Sequence, residues 1–199
     1  MKRLKLACPM IMTFLMLIAA ASPVSFAAKE EKFDHGTGNT RKVLIAYFSH
    51  TGNTREIASQ IHERVGGDIF EIQTVAPYTE NYDDLVEQAK KELHSDFRPE
   101  LRSDVQDVNA YDVIFIGYPS WWETYPMAVK AFLSKHDLSG KTLVPFCTHE
   151  GSGLGQSVFD LSQLCPRSTL LDGLAVRGRT VRSAQSKVSE WLREIKMVK

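Results

Sequence analysis

Three short stretches of this chain combine residue types that could hold a ligand. The first, Ser49-His50-Thr51-Gly52-Asn53-Thr54, gathers three hydroxyls and an amide around one glycine, just ahead of a helical pattern. A loop that opens a helix presents unpaired backbone N–H groups and the positive end of the helix dipole, so it attracts a phosphate without a cationic side chain. Gly52 lets the backbone approach closely, while Ser49, Thr51 and Thr54 add hydroxyl donors and Asn53 an amide. The same residues also read as an ordinary helix start, capped by Asn53 or Thr54, with nothing bound. The stretch holds neither Gly-x-x-x-x-Gly-Lys nor Gly-x-Gly-x-x-Gly, which argues against triphosphates and an ordinary dinucleotide site.

The second stretch is Pro119-Ser120-Trp121-Trp122-Glu123-Thr124-Tyr125. Adjacent indoles on a loop are costly to expose and need partners for their N–H groups when buried. They form either a stacking wall for a flat aromatic ligand or a cover for the edge of a sheet. The third, Thr148-His149-Glu150-Gly151-Ser152-Gly153-Leu154-Gly155, has three glycines in its last five residues and can bring backbone donors and acceptors against a polar ring edge. Histidines 50 and 149 read either as exposed loop residues or as proton relays to a two-electron acceptor such as a quinone. Glu150 either faces the ring, adding to the negative field there, or stays solvated. Histidines 62, 94 and 136 fall on helices or at their ends, and His35 lies far upstream; none has metal-ligand spacing.

These stretches need a frame that brings them together. Residues 42–48 form a continuous apolar run, as expected of a strand buried on both faces of a parallel sheet. From Thr54 a helical pattern places Ile57, Ala58, Ile61 and Val65 on one face, and Gly66-Gly67 stops it. The unit recurs: a strand over 68–75, a helix over 82–94 with Leu85, Val86, Ala89 and Leu93 inward, then a strand over 111–118. A helix over 126–134, a strand over 142–147, a helix over 154–164, a strand over 169–176 and a helix over 183–196 complete the series. Five strands alternating with helices imply an open parallel α/β sheet covered on both faces. Loops that follow strands emerge on one edge of such a sheet, which puts all three stretches together.

The pentapeptide Thr-Gly-Asn-Thr-Arg occurs twice, at 37–41 and 51–55, and only the second copy has a strand before it and a helix after it. The first lies in a polar, aperiodic segment, 28–41, expected to be a flexible leader. Ahead of it, Lys2, Arg3 and Lys5 precede an apolar run over 10–21 and the triplet Ser25-Phe26-Ala27, the layout of a secretory signal cut after Ala27. The apolar run is shorter than the roughly 20 residues of a spanning helix. Loss of residues 1–27 would leave 21 Lys and Arg against 24 Asp and Glu, a formal charge of −3, which marks neither a nucleic-acid footprint nor a membrane-binding face. Cys147 and Cys165 sit at opposite ends of one strand-to-helix return, about 15 Å apart by helical rise, and are expected to be free thiols.

A phosphate at one loop and a planar ring at the other two fit a mononucleotide, flavin mononucleotide (FMN) best. With that, Ser-x-Thr-Gly-Asn-Thr after the first strand, Tyr-Pro-x-Trp-Trp after the third and Pro-Phe-Cys-Thr-His-x-Gly-Ser-Gly after the fourth resemble the flavodoxin family, in its short form with a double-tryptophan loop. The resemblance covers about residues 42–196. It implies a three-layer sandwich with a five-stranded parallel sheet in the order 2-1-3-4-5, an FMN-binding domain over 42–199, and electron transfer to a redox partner protein or a small quinone-like acceptor. It implies that Ser49, Thr51, Gly52, Asn53 and Thr54, with the His50 amide, hold the phosphate. Pro119, Ser120, Trp121 and Trp122 would pack against the isoalloxazine, and Thr148, His149, Gly151 and Gly153 would line its other edge. Apolar stacking with no Lys or Arg nearby would disfavour negative charge on the reduced ring. The competing function is a binding module of the same fold without redox turnover. Export to an envelope compartment, the periplasm, is the expected location.

Overall fold

The computed structural model describes residues 41–199. The expected cleavage site and nearly all of the leader, including the first Thr-Gly-Asn-Thr of the duplicated pentapeptide, lie outside the described residues. Strands β1 (Val43–Tyr47), β2 (Asp68–Glu71), β3 (Val113–Pro119) and β4 (Thr142–His149) alternate with helices α1 (Asn53–Val65), α2 (Tyr82–Ser95) and α3 (Met127–Lys135). After β4 come α4 (Ser157–Leu164), β5 (Thr169–Leu170), β6 (Leu174–Arg177) and α5 (Gln185–Glu194). All the ladders are parallel and the order is β2-β1-β3-β4-β5, with β6 also paired to β4. The expected 2-1-3-4-5 sheet is the one observed.

Side-chain alternation along the central strands divides the core between the two faces. Leu44, Ala46, Ile114, Ile116 and Tyr118 pack with Leu85 of α2, Phe132 of α3 and Leu161 of α4. Val43, Ile45, Tyr47, Val113 and Phe115 pack with Ile57 and Ile61 of α1 and Val188, Trp191 and Leu192 of α5. Both faces of β1 and β3 are therefore sealed, which is why their sequences read as unbroken apolar runs. In α2, the expected inward set is only partly so. Leu85 and Ala89 are buried, Val86 and Leu93 are half-buried, and Glu92 is buried instead, its carboxylate accepting a 2.7 Å hydrogen bond from Tyr78 Oη.

The strand expected over 169–176 is two strands. Leu143 of β4 faces Leu170, and Phe146 faces Leu174. Three residues, Leu171, Asp172 and Gly173, thus stand opposite only two, Val144 and Pro145. This is a bulge, and Pro145, which has no N–H to give a neighbour, stands at it. Beyond it β6 resumes the pairing and delivers Arg177 opposite His149 at the end of β4. The fourth helix begins at Ser157 rather than near 154, because Gly153 (φ 64°) and Gly155 (φ 51°) hold the chain in left-handed turns. A 3-10 segment, Gly178–Ser183, which the sequence pattern did not indicate, fills the space before α5.

Candidate functional site

The loops after β1, β3 and β4 open on one cavity of about 600 Å³, within the range of small-molecule sites. Each is tied to its neighbour. Thr54 Oγ1 and Thr148 Oγ1 are 2.9 Å apart and buried, joining the first turn of α1 to the end of β4. The backbone N–H of Ser120 donates to Thr148 O at 2.8 Å, and the hydroxyls of Ser120 and Ser152 lie 2.8 Å apart, joining the second loop to the third. Three loops far apart in sequence thus share one hydrogen-bonded rim.

In the first loop Gly52 adopts φ 89° as the residue preceding α1, a conformation strained for any other residue. The Arg55 N–H donates to Ser49 Oγ at 3.3 Å, so the serine hydroxyl supports the helix start. His50, Thr51 and Asn53 line the cavity; Ser49, Gly52 and Thr54 do not. Arg55, exposed on the first turn of α1, pairs with Glu71 Oε1 at 2.5 Å on β2. The thirteen-residue α1 thus meets the cavity with its N-terminal residue, Asn53, and the positive end of its dipole, while the Arg55 guanidinium is engaged by Glu71.

The second loop is a tight hairpin. Trp121 and Thr124 exchange backbone hydrogen bonds of 2.9 and 3.1 Å, and the two residues between them, Trp122 (φ 51°) and Glu123 (φ 63°), are both left-handed. Non-glycine residues persist there only when their surroundings hold them. Glu123 O accepts from the Gln156 N–H at 2.7 Å, and Trp122 Nε1–H donates to Val86 O of α2 at 3.1 Å, with the Lys90 ammonium 5.2 Å from the indole centroid. Trp121 is gripped by edge-to-face contacts with Phe48 (5.5 Å), Tyr78 (5.0 Å) and His50 (6.0 Å). Pro119, Ser120, Trp121 and Trp122 all line the cavity.

In the third loop Thr148, His149 and Gly151 line the cavity, and Gly153 does not. The Gly153 N–H donates to His149 Nδ1 at 3.0 Å. Burial, reinforced by Arg177 and Lys187 and opposed by Glu150, holds the His149 imidazole below its ordinary pKa of 6.5. No Lys or Arg is among the described residues that line the cavity, but two cations act on His149 from behind the third loop's strand. The parallel sheet sets Arg177 of β6 beside His149, and α5 brings Lys187 onto Ala175 O at 2.6 Å. Glu150 lines the cavity although it is exposed.

Several lining residues had not been anticipated: Ser152 and Glu123 within the named loops, Gly178, and a wall of Glu80, Tyr82, Leu85, Val86 and Ala89 from α2 and its approach. Gly178 was legible, since a glycine following the last strand falls on the ligand edge. A Cβ at that position would lie 2.3 Å from Glu150 Oε1 and 2.7 Å from Asn53 Nδ2. Leu85 and Ala89 gave only a core signal, because α2 returns to the rim after the long connection 72–81.

Comparison with known proteins agrees with this geometry. A family profile described as Flavodoxin matches residues 42–195. The chain belongs to the flavodoxin family. A crystal structure of a protein from Bacteroides eggerthii, classed as a flavoprotein, is 34% identical with a TM-score of 0.70, the match covering 78% of this chain and 98% of that one. The flavodoxin of Haemophilus influenzae is 29% identical over 80 residues, 40% of this chain; the match spans 32% of that protein's length. The crystal structure of a Lactobacillus acidophilus flavoprotein in complex with FMN, at 23% identity and TM-score 0.61 over 75% of this chain and 99% of that one, shares the fold. Among the described residues, no helix is long and apolar enough to cross a membrane.

Proposed function

We propose that this flavodoxin-family chain is an exported electron-transfer protein that binds FMN in the rim cavity and passes electrons to a redox partner protein or a small quinone-like acceptor. The observation that carries the reading is convergence. Helix-opening donors at Thr51 and Asn53, indoles at Trp121 and Trp122, and the glycine-bearing loop from Thr148 to Ser152 all face one space. These residues fit the cofactor: the N-terminal end of α1, with Thr51 and Asn53, offers a phosphate donors, the indoles offer a planar ring an apolar wall, and the third loop offers its edge polar groups.

Bound FMN supplies the capacity to take up and release electrons one or two at a time. The chain contributes orientation and field. Trp121, held by Phe48 and Tyr78, fixes a ring plane. The third loop sets the polarity at one end of the cavity, where Arg177 and Lys187 place positive charge close to His149. The α2 wall of Tyr82, Leu85, Val86 and Ala89 is apolar enough to accept a flat acceptor, which favours redox turnover over mere binding. Purification followed by a visible spectrum tests the core of the reading. Flavin bands near one per chain are expected, and colourless protein that takes up no added FMN would refute it. Stopped-flow oxidation of the reduced protein by a soluble quinone, against oxidation by a protein acceptor, separates the two acceptor classes. Export rests on the basic start, apolar run and small-x-small triplet of residues 1–27. Fractionation with N-terminal sequencing checks it, with Ala28 as the expected first residue.

A further inference from the structure

We propose that His149 serves the cavity as an uncharged imidazole of fixed tautomer, with its proton on Nε2, and that this N–H is a hydrogen-bond donor to the acceptor-bearing edge of a planar ring. The ring's identity as flavin rests on the function proposed above; the tautomer does not.

The argument begins with Gly153. Its backbone N–H donates to His149 Nδ1 at 3.0 Å. An amide N–H can only donate, so Nδ1 must offer a lone pair, and in a neutral imidazole the proton then sits on Nε2. Protonation of Nδ1 would set one N–H against another. The amide cannot easily turn away. Gly153 holds φ 64°, and its carbonyl accepts from Cys147 Sγ at 3.2 Å, a thiol buried in β4. Both sides of this glycine are therefore fixed by residues of the strand that ends in His149.

Charge around the ring acts in the same direction. Arg177 faces His149 from β6, and Lys187 reaches over from α5; the carboxylate of Glu150 opposes both. With the half-buried ring held below its ordinary pKa, it is uncharged at neutral pH and gives hydrogen bonds rather than protons. Half-buried rather than exposed, His149 stands where the resemblance places it, at the edge of the ring site. A lining residue whose Nδ1 is already satisfied has Nε2 left for the ligand. Such a donor matches a carbonyl oxygen or an unprotonated ring nitrogen and discriminates against a protonated edge.

Long-range ¹H–¹⁵N correlation spectra of the labelled, flavin-free chain near neutral pH test the tautomer. The pattern of a neutral ring protonated at Nε2 is expected; a ring protonated at Nδ1, or an imidazolium, would overturn the proposal. The donor role is tested by FMN titration of H149A and H149Q, each checked for native circular dichroism. Loss of one such hydrogen bond predicts a Kd about 10-fold weaker for H149A, with most of the loss recovered in H149Q, whose amide keeps an N–H. Wild-type affinity in H149A, or equal loss in both variants, would refute the donor role. Wild-type protein that binds no FMN would refute the cofactor reading and the donor role together, and the flavin-free spectra would still decide the tautomer.

Discussion

Thr54 and Thr148, ninety-four residues apart in the chain, place their hydroxyl oxygens 2.9 Å from each other in a buried pocket between α1 and β4. This bond joins the first turn of α1 to the end of β4. A buried hydroxyl that loses its partner keeps its full desolvation cost. T54V is therefore expected to lower unfolding stability by about 1–2 kcal/mol. The double variant T54V/T148V is expected to lose less than the sum of the two single changes, since it orphans no group. Urea titration of the four proteins measures the coupling; strict additivity would show that the pair does not interact.

Two glycines at the rim should respond to alanine in opposite ways. At Gly178 the added Cβ would meet Glu150 Oε1 at 2.3 Å and Asn53 Nδ2 at 2.7 Å, both ends of movable side chains. G178A is expected to fold with a stability change below about 1 kcal/mol, yet to bind FMN more weakly because Asn53 and Glu150 are displaced. At Gly155 the Cβ would meet the backbone Glu123 O at 2.2 Å, and the residue stands at φ 51°. G155A is expected to cost about 2 kcal/mol or more and to disturb the Trp122 hairpin. Thermal melts beside flavin titrations separate the two patterns, and a G178A protein with wild-type affinity would remove Gly178 from the site.

The sheet was legible because β1 and β3 are buried on both faces and carry unbroken apolar sequence. Strand, loop and helix follow one another there at spacings only a parallel sheet accommodates. The break between β5 and β6 was not read, although Pro145 announced it. A proline in a central strand withholds a ladder bond, and the neighbouring strand bulges at that point. The site followed from the sheet as far as loops directly succeeding strands reach. The division of labour among its hydroxyls did not follow. Thr51 lines the cavity while Thr54, three positions on, is turned inward to Thr148, and only the packed end of β4 decides which hydroxyl faces which way. The α2 wall was hidden for a related reason: Leu85 and Ala89 obey the same helical period whether they meet the core or a ligand.

The two cysteines of the folded region give a prediction independent of any ligand. Cys147 and Cys165 are free, with Cys147 fully buried and Cys165 half-buried. Burial pushes the Cys147 thiol up to about 12, against a smaller opposing effect of Lys187, and raises Cys165 as well. Because the thiolate is the reactive form, native protein at mildly alkaline pH is expected to alkylate slowly, Cys165 before Cys147. Cys147 should become fast only under denaturing conditions. Peptide mass mapping after timed iodoacetamide treatment reads the order, and rapid native labelling of Cys147 would contradict the burial of β4's end.

His149 also makes stability depend on pH in a definite direction. In the folded chain the imidazole is held below 6.5 by burial, with Arg177 and Lys187 adding to the effect; in the unfolded chain it returns to that ordinary value. Between the folded pKa and 6.5 the unfolded state binds more protons, so unfolding free energy falls as pH falls through that window and recovers above it. The aspartates with lowered pKa values, Asp96, Asp104 and Asp137, start from 3.8 and act in a more acidic range. Wild-type protein should therefore lose stability between about pH 7 and pH 5.5, and H149Q, which cannot titrate, should lose less over the same interval. Urea unfolding at several pH values across this range gives the two slopes. Parallel curves for wild type and H149Q would mean that the imidazole is as easily charged in the folded chain as in the unfolded one, contrary to its place between Gly153, Arg177 and the cavity.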